Sequence, residues 1–288
     1  MAITLGTNIP SLRINNVLNA STTKLSDTLE KLSTGLKINQ AKDDAAGLVI
    51  SENMAARIDS SNQAMKNIQT AKSFLAVAED GMVSVSDHLQ RINDLLTNMA
   101  NDTNDMVSRK ASIDEIIERL DEINRLAKTT DFNGKNMLDG TAKSIIVQLG
   151  SDSSENSILD ISKSLSNCFT SAGGLNVELP DNLNPAKAGA YDPNNANCRA
   201  YMKSIQDAIS TLASNRGLLG AYENRLESSY DSMSQRVESL QEAKGVYTDA
   251  DIALEATNYT SKQILQQMNV SLLANSNSMQ SLALSLLG

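Results

Sequence analysis

Tryptophan is absent from the 288 residues, and only three Phe and six Tyr are present, so the 3% aromatic content cannot build an aromatic core. The 41% of hydrophobic residues must pack as Leu, Ile, Val, Met and Ala. Four Pro and fourteen Gly leave few chain breakers in such a length, which favours long helices. Histidine occurs once, as His88, and cysteine twice, as Cys168 and Cys198. A structural zinc or iron site needs four such ligands, and nothing in the spacing of these three residues suggests a three-ligand catalytic centre. The phosphate-loop, dinucleotide-loop, zinc-protease and nucleophile-elbow motifs are all missing, so no cofactor is expected and an enzyme is disfavoured. Positive charge is also short: 25 Lys and Arg against 34 Asp and Glu give a net charge of −9, which phosphate backbones and anionic lipid repel. General nucleic-acid binding is excluded on that ground.

The first residues, MAITLGTNIPSLRINN, lack a basic stretch followed by an apolar run, so no cleaved secretory signal is expected there. Residues 263–288 carry no charge, but four Gln, three Asn and five Ser argue against a membrane span.

The apolar residues that are present fall at helical spacing. Ile58, Met65, Ile68, Leu75, Met82, Val85, Leu89, Ile92, Leu96 and Met99 are separated mostly by steps of 3, 4 or 7, as in a coiled-coil seam. A second, shorter seam runs through Ile113, Ile116, Leu120, Ile123 and Ala127, following a break at residues 101–105. A third runs from Ile205 through Ile209, Leu212, Leu219, Leu226, Met233 and Val237 to Leu240. At ~1.5 Å per residue, segments 54–100 and 198–245 form rods of roughly 70 Å, with 106–128 about half as long. Near the amino end Leu18, Leu25, Leu29, Leu32 and Leu36 form a further seam. Met268, Leu272, Asn275, Met279, Leu282 and Leu286 form its counterpart near the carboxyl end. These two terminal seams are expected to pair with each other. Asn275 either fixes the register of that pair or lies exposed on a slightly rotated helix.

Between the helical halves the texture changes. Residues 131–165 read as short β-hairpins with Asn and Gly turns, and 170–197 gather Gly, Pro, Asn and Asp as a surface loop. The fold class expected is mainly α: a long antiparallel helical bundle or coiled coil of paired N- and C-terminal segments with a small β-hairpin region. The division expected is a terminal-helix inner core domain of 1–44 plus 249–288, then a helical rod domain of 45–168 plus 198–248 with hairpins at 131–165, and a short outer surface loop at 169–197. An uncharged, Leu-rich terminal helix is not satisfied by one helix partner alone, and its composition suits an environment packed by protein on all sides. The chain therefore reads as a self-assembling structural protein, with a closed monomeric helical bundle as the rival.

Leu32-Ser-Thr-Gly-Leu36, Ile38-Asn39, Ala41-Lys-Asp-Asp-Ala-Ala-Gly-Leu48 and Ile50 resemble the amino-terminal signature of bacterial flagellin. The resemblance continues through Leu89-Gln-Arg-Ile92, Leu95, Phe132-Asn-Gly134 and Leu138-Asp-Gly140. It then takes in Asp249-x-Asp251-x-Ala253-x-Glu255, Gln263-Ile-Leu-Gln-Gln267 and Leu284-Ser-Leu-Leu287, so that about 250 residues are covered in order from both ends. It implies a subunit that polymerises with many copies of itself into the extracellular flagellar filament for motility and leaves the cell by the flagellar type III export apparatus. It implies further partners: an export chaperone, the filament cap and the hook-junction proteins. Chaperone and assembly contacts then fall on Leu272, Leu273, Met279, Leu282 and Leu286. It also implies innate immune recognition by the Toll-like receptor that senses flagellin, through Leu89, Gln90, Arg91, Leu95 and Glu115, with Leu95 as an apolar anchor. The junction protein of hook and filament, or a monomeric helical adaptor, are the alternative functions.

Four features depart from the family pattern: Asn93 stands where Arg is common in receptor-recognised members, the central region is very short, Val246-Tyr247 stand where Arg and a branched aliphatic residue are common, and Cys168 and Cys198 bracket the 169–197 loop. In an exported protein the two cysteines either form a disulfide outside the cell or remain buried free thiols packing as small apolar groups.

Overall fold

A computed structural model of the chain describes residues 8–141, 144–150, 154, 157–171, 173–187 and 192–285. Five helices carry most of it: α1 (Ile9–Thr34), α2 (Ala45–Met99), α3 (Met106–Thr129), α4 (Asn195–Thr248) and α5 (Ile252–Ser285). Two antiparallel hairpins stand between α3 and α4. In the first, β1 (Asp131–Phe132) pairs with β2 (Lys135–Asn136); in the second, β3 (Ile146–Gln148) pairs with β4 (Ile158–Asp160). The mainly α fold expected from the sequence is present, and the described seam residues lie on helices except Leu36, which falls beyond the end of α1, while Leu286 lies outside the described residues.

Local chemistry sets the element ends. Asn8 accepts from the Ser11 amide at 3.0 Å and opens α1, and Asp105 does the same for α3 through the Ser108 amide at 2.9 Å. α1 stops at Gly35, whose left-handed φ of 72° lets its amide return to the Lys31 carbonyl at 2.9 Å. The β1–β2 turn is Asn133-Gly134, both at positive φ (52° and 75°), as a two-residue hairpin loop demands.

The chain forms two compact units, Met1–Ile58 with Glu238–Gly288, and Asp59–Val237, and their boundaries fall inside α2 and α4. The second unit holds the main hydrophobic core. Ile68, Leu75, Met82, Leu89, Ile92, Leu96 and Met99 of α2 meet Ile113, Ile116 and Ile123 of α3 and Ile205, Leu212, Leu219 and Leu226 of α4, all fully buried. Residues from the hairpin and loop region, including Met137, Leu138, Ile161, Cys168, Val177 and Leu183, complete the same core. The stretch from 165 onward is therefore packed in part against the helices rather than lying wholly on the surface, because it contributes its own apolar side chains. Tyr201 fixes it by donating its buried hydroxyl to the Val177 carbonyl at 2.6 Å.

The other unit is the antiparallel pair of α1 and α5 and the segments that join them to α2 and α4. Among the described residues no helix is long and apolar enough to cross a membrane.

Candidate functional site

The surface that α5 presents to α1 differs from the one the apolar seam predicted. The residues of α5 that lose exposure include Glu255, Tyr259, Lys262, Gln266, Asn269, Leu273 and Ser276, spaced alternately by four and three, with Asn258 beside them. They meet a matching stripe of α1: Ser11, Ile14, Leu18, Ser21, Leu25, Thr28 and Leu32. Polar groups are shared across it. Lys262 Nζ donates to Thr28 Oγ1 at 2.6 Å, Gln266 Nε2 to Thr22 Oγ1 at 3.1 Å, and Ser11 Oγ to Asn277 Oδ1 at 3.0 Å. The expected pairing of the termini is thus present, but through a half-polar stripe on α5, and the expectation is corrected in this respect.

The apolar seam itself faces outward. Leu265, Met268, Leu272, Met279 and Leu282 are each about half exposed or more, and Asn275 lies exposed on the same stripe. On α1, Leu18, Leu25 and Leu32 face the partner helix, whereas Leu29 is exposed along with Ile9, Leu12 and Val17. Of the residues expected to bind a chaperone or a neighbouring subunit, Leu272, Met279 and Leu282 are open, Leu273 is half-buried on the α1 side, and Leu286 lies outside the described residues. The stripe runs along α5 with no ionised side chain from 263 onward.

A backbone clasp closes one end of the pair. Lys37 N donates to the Thr248 carbonyl at 2.6 Å, Ala250 N donates to the Gly35 carbonyl at 2.9 Å, and Leu36 bridges Asp249. The adjoining Ala-Lys-Asp-Asp-Ala-Ala-Gly block works as a helix start. Asp44 Oδ1 accepts from the amides of Ala46 (3.1 Å) and Gly47 (3.0 Å), while Asp43 Oδ2 accepts from those of Asn39 (3.1 Å) and Gln40 (3.0 Å). The latter bonds hold the Asp43 carboxyl below its ordinary range. Space is tight at Gly47: a Cβ there would sit 2.7 Å from Ile38 Cδ1 and 2.6 Å from an Asp44 carboxylate oxygen, so both side chains would have to shift.

In the core-bearing unit, α2 and α3 share a charged cluster. Arg91 Nε donates to Glu115 Oε1 at 3.1 Å, and Arg119 Nε donates to the same oxygen at 3.0 Å. Together they keep the Glu115 carboxyl below its usual range, the Arg91 bond being the larger cause. Arg119 Nη1 lies 3.3 Å from His88 Nδ1, and because arginine can only donate, that nitrogen is the acceptor. Gln90, Arg91 and Glu115 are accessible, as a docking site requires. Leu89 and Leu95 are instead closed into the core, so the apolar contact expected of Leu95 is not open at the surface of the single chain.

Cys168 and Cys198 are buried free thiols in this structure, both packed into the main core. Burial pushes the Cys168 thiol up to about 11 and raises that of Cys198. Among the described residues no group of His, Cys, Asp or Glu is placed to hold a metal.

Sequence reasoning missed Arg109. Its guanidinium is nearly buried at the start of α3 and donates to the carbonyls of Pro193 (2.8 Å) and Asn101 (3.1 Å) and to Asn195 Oδ1 (2.9 Å). It ties the α2–α3 turn to the start of α4.

Comparison with known proteins decides what these helices belong to. The family model of the bacterial flagellin N-terminal helical region matches residues 5–143, and that of the bacterial flagellin C-terminal helical region matches residues 202–287. This chain belongs to the bacterial flagellins. A flagellin of Halalkalibacterium halodurans is 32% identical over 97% of this chain and 98% of its own length. A flagellin of Bacillus subtilis is 32% identical over 94% and 95%, and the flagellar filament 30.7 kDa core protein of Treponema maltophilum is 33% identical over 94% of each. A solved structure from Vibrio parahaemolyticus, assigned as a flagellar hook-associated protein, shares the fold with a TM-score of 0.57 at 17% identity, over 72% of this chain and 99% of the other. Flagellins are structural subunits of the extracellular filament and not enzymes, in keeping with the absence of catalytic motifs.

Proposed function

We propose that the chain polymerises through the outward stripes of α1 and α5, each covered by further copies of itself, to form the filament that drives motility. The observation that carries this reading is the orientation of α5: Met268, Leu272, Met279 and Leu282 face away from the helix it pairs with. Fully burying an exposed side chain of this kind stabilises by ~1.5–3 kcal/mol, and these four, already about half covered, stand to gain roughly half of that each.

Before assembly the same stripe suits an export chaperone that holds residues 249–288 as an amphipathic helix in a groove, and the flagellar type III apparatus is the route of exit. At the filament ends, cap and hook-junction proteins meet the same helices. Host sensing by the Toll-like flagellin receptor would use Gln90, Arg91 and Glu115, whose charge-assisted pairing is available at the surface.

Seeded polymerisation of the purified chain, followed by electron microscopy beside a chain truncated after Lys262, tests the reading. Tubular filaments from the full chain and none from the truncation are expected. If both remain monomeric with protease-resistant ends, a helical adaptor or a hook–filament junction protein takes its place.

A further inference from the structure

The described methionines span three environments: Met82, Met99 and Met137 are fully buried, Met54, Met65, Met202 and Met233 are half-buried, and Met106, Met268 and Met279 are 60%, 55% and 58% exposed. Two of the exposed three stand on the outward stripe of α5. They are eleven residues apart, which is close to three helical turns and places both thioethers on one line, about 16 Å apart, with Leu272 and Asn275 between them.

We propose that Met268 and Met279 are a paired oxidation site through which two-electron oxidants, peroxide above all, switch off the assembly face of the free chain. The step is an oxygen transfer. The thioether sulfur attacks one oxygen of hydrogen peroxide, an S–O bond forms as the O–O bond breaks, sulfur is oxidised by two electrons, and the other oxygen leaves as water. The product is a sulfoxide, which replaces an apolar, adaptable group with a strongly polar one at two points of a surface otherwise made of Leu265, Leu272 and Leu282 with Asn275 among them. No guanidinium, ammonium or carboxylate lies on α5 from residue 263 onward to receive the new dipole. Burying it against a neighbouring copy leaves it only the neutral donors of this helix, such as Asn275 four residues before Met279. The inference rests on the assembly reading given above.

The test treats the purified soluble chain with hydrogen peroxide, maps sulfoxides by peptide mass spectrometry, and measures seed elongation. Sulfoxide is expected at Met106, Met268 and Met279 ahead of Met82, Met99 and Met137, with the critical concentration for elongation raised at least about ten-fold. M268L/M279L conserves volume and apolarity and should elongate normally after the same treatment, whereas M106L should be blocked like the unaltered chain. Reduction of the oxidised chain by the two epimer-specific methionine sulfoxide reductases should restore elongation, a result that does not depend on any variant. Unimpaired elongation of a chain carrying sulfoxide at both positions overturns the inference, as does equal loss in the doubly substituted chain. Failure of the untreated, unaltered chain to elongate counts instead against the assembly reading.

Discussion

Lys262 of α5 places its ammonium 2.6 Å from the hydroxyl oxygen of Thr28 on α1, and that hydroxyl in turn donates to the Lys24 carbonyl at 2.9 Å. Thr28 is almost wholly buried and is the one buried polar side chain of α1. The charge of Lys262 is thus received by a dipole already oriented by the helix.

Thr28→Val removes the acceptor and leaves the ammonium against a methyl group. The α1–α5 pair should lose about 1–2 kcal/mol, read as faster amide hydrogen exchange along both helices in the soluble chain. Adding Lys262→Leu should recover much of that loss, since replacing both partners leaves no orphan.

Arg109→Ala is expected to destabilise the core-bearing unit by about 3–5 kcal/mol in urea denaturation, because two backbone carbonyls and Asn195 Oδ1 lose a buried charged donor together. Arg109→Lys should fall between, as a single ammonium cannot span the three acceptors.

The Glu115 carboxyl, held low by Arg91 and then Arg119, stabilises the folded chain above the ordinary glutamate range. That contribution fades as pH falls through the lowered value, because the proton then binds more readily in the unfolded chain. In Arg91→Ala, carbon-13 titration of Glu115 should move upward toward the ordinary value. No movement would mean that Arg119 alone holds the carboxylate.

Both cysteines should resist modification in the native chain at pH 8, since burial blocks access and the raised Cys168 value leaves little thiolate. In denaturant two thiols per chain should titrate. A count of zero in secreted filaments would instead indicate a disulfide formed outside the cell.

The helices were legible because their cores repeat. The seam from Ile113 to Ala127 predicts a helix over 106–128, and α3 runs Met106–Thr129. Asn133-Gly134 likewise announces its hairpin. What periodicity could not give was the partner. It identifies the face of α5 that favours burial, yet in one chain that face stays open, and the face that meets α1 carries Lys262, Gln266 and Asn269, which read as solvated. Leu95, expected as an apolar anchor, is closed into the core, because a short motif does not tell which of its residues the core claims. Arg109 was missed because a long cation near a helix start usually points to water, and only the fold brings the Pro193 and Asn101 carbonyls around it.

The clasp of Gly35, Leu36 and Lys37 on Thr248, Asp249 and Ala250 is made by main-chain atoms. It acts on α1 and α5 as the stop at the base of a zipper acts on its two rows of teeth, fixing their phase from one end. Side chains further along are then relieved of setting the alignment. Their identities can drift toward whatever a neighbouring copy demands while the two rows stay in step.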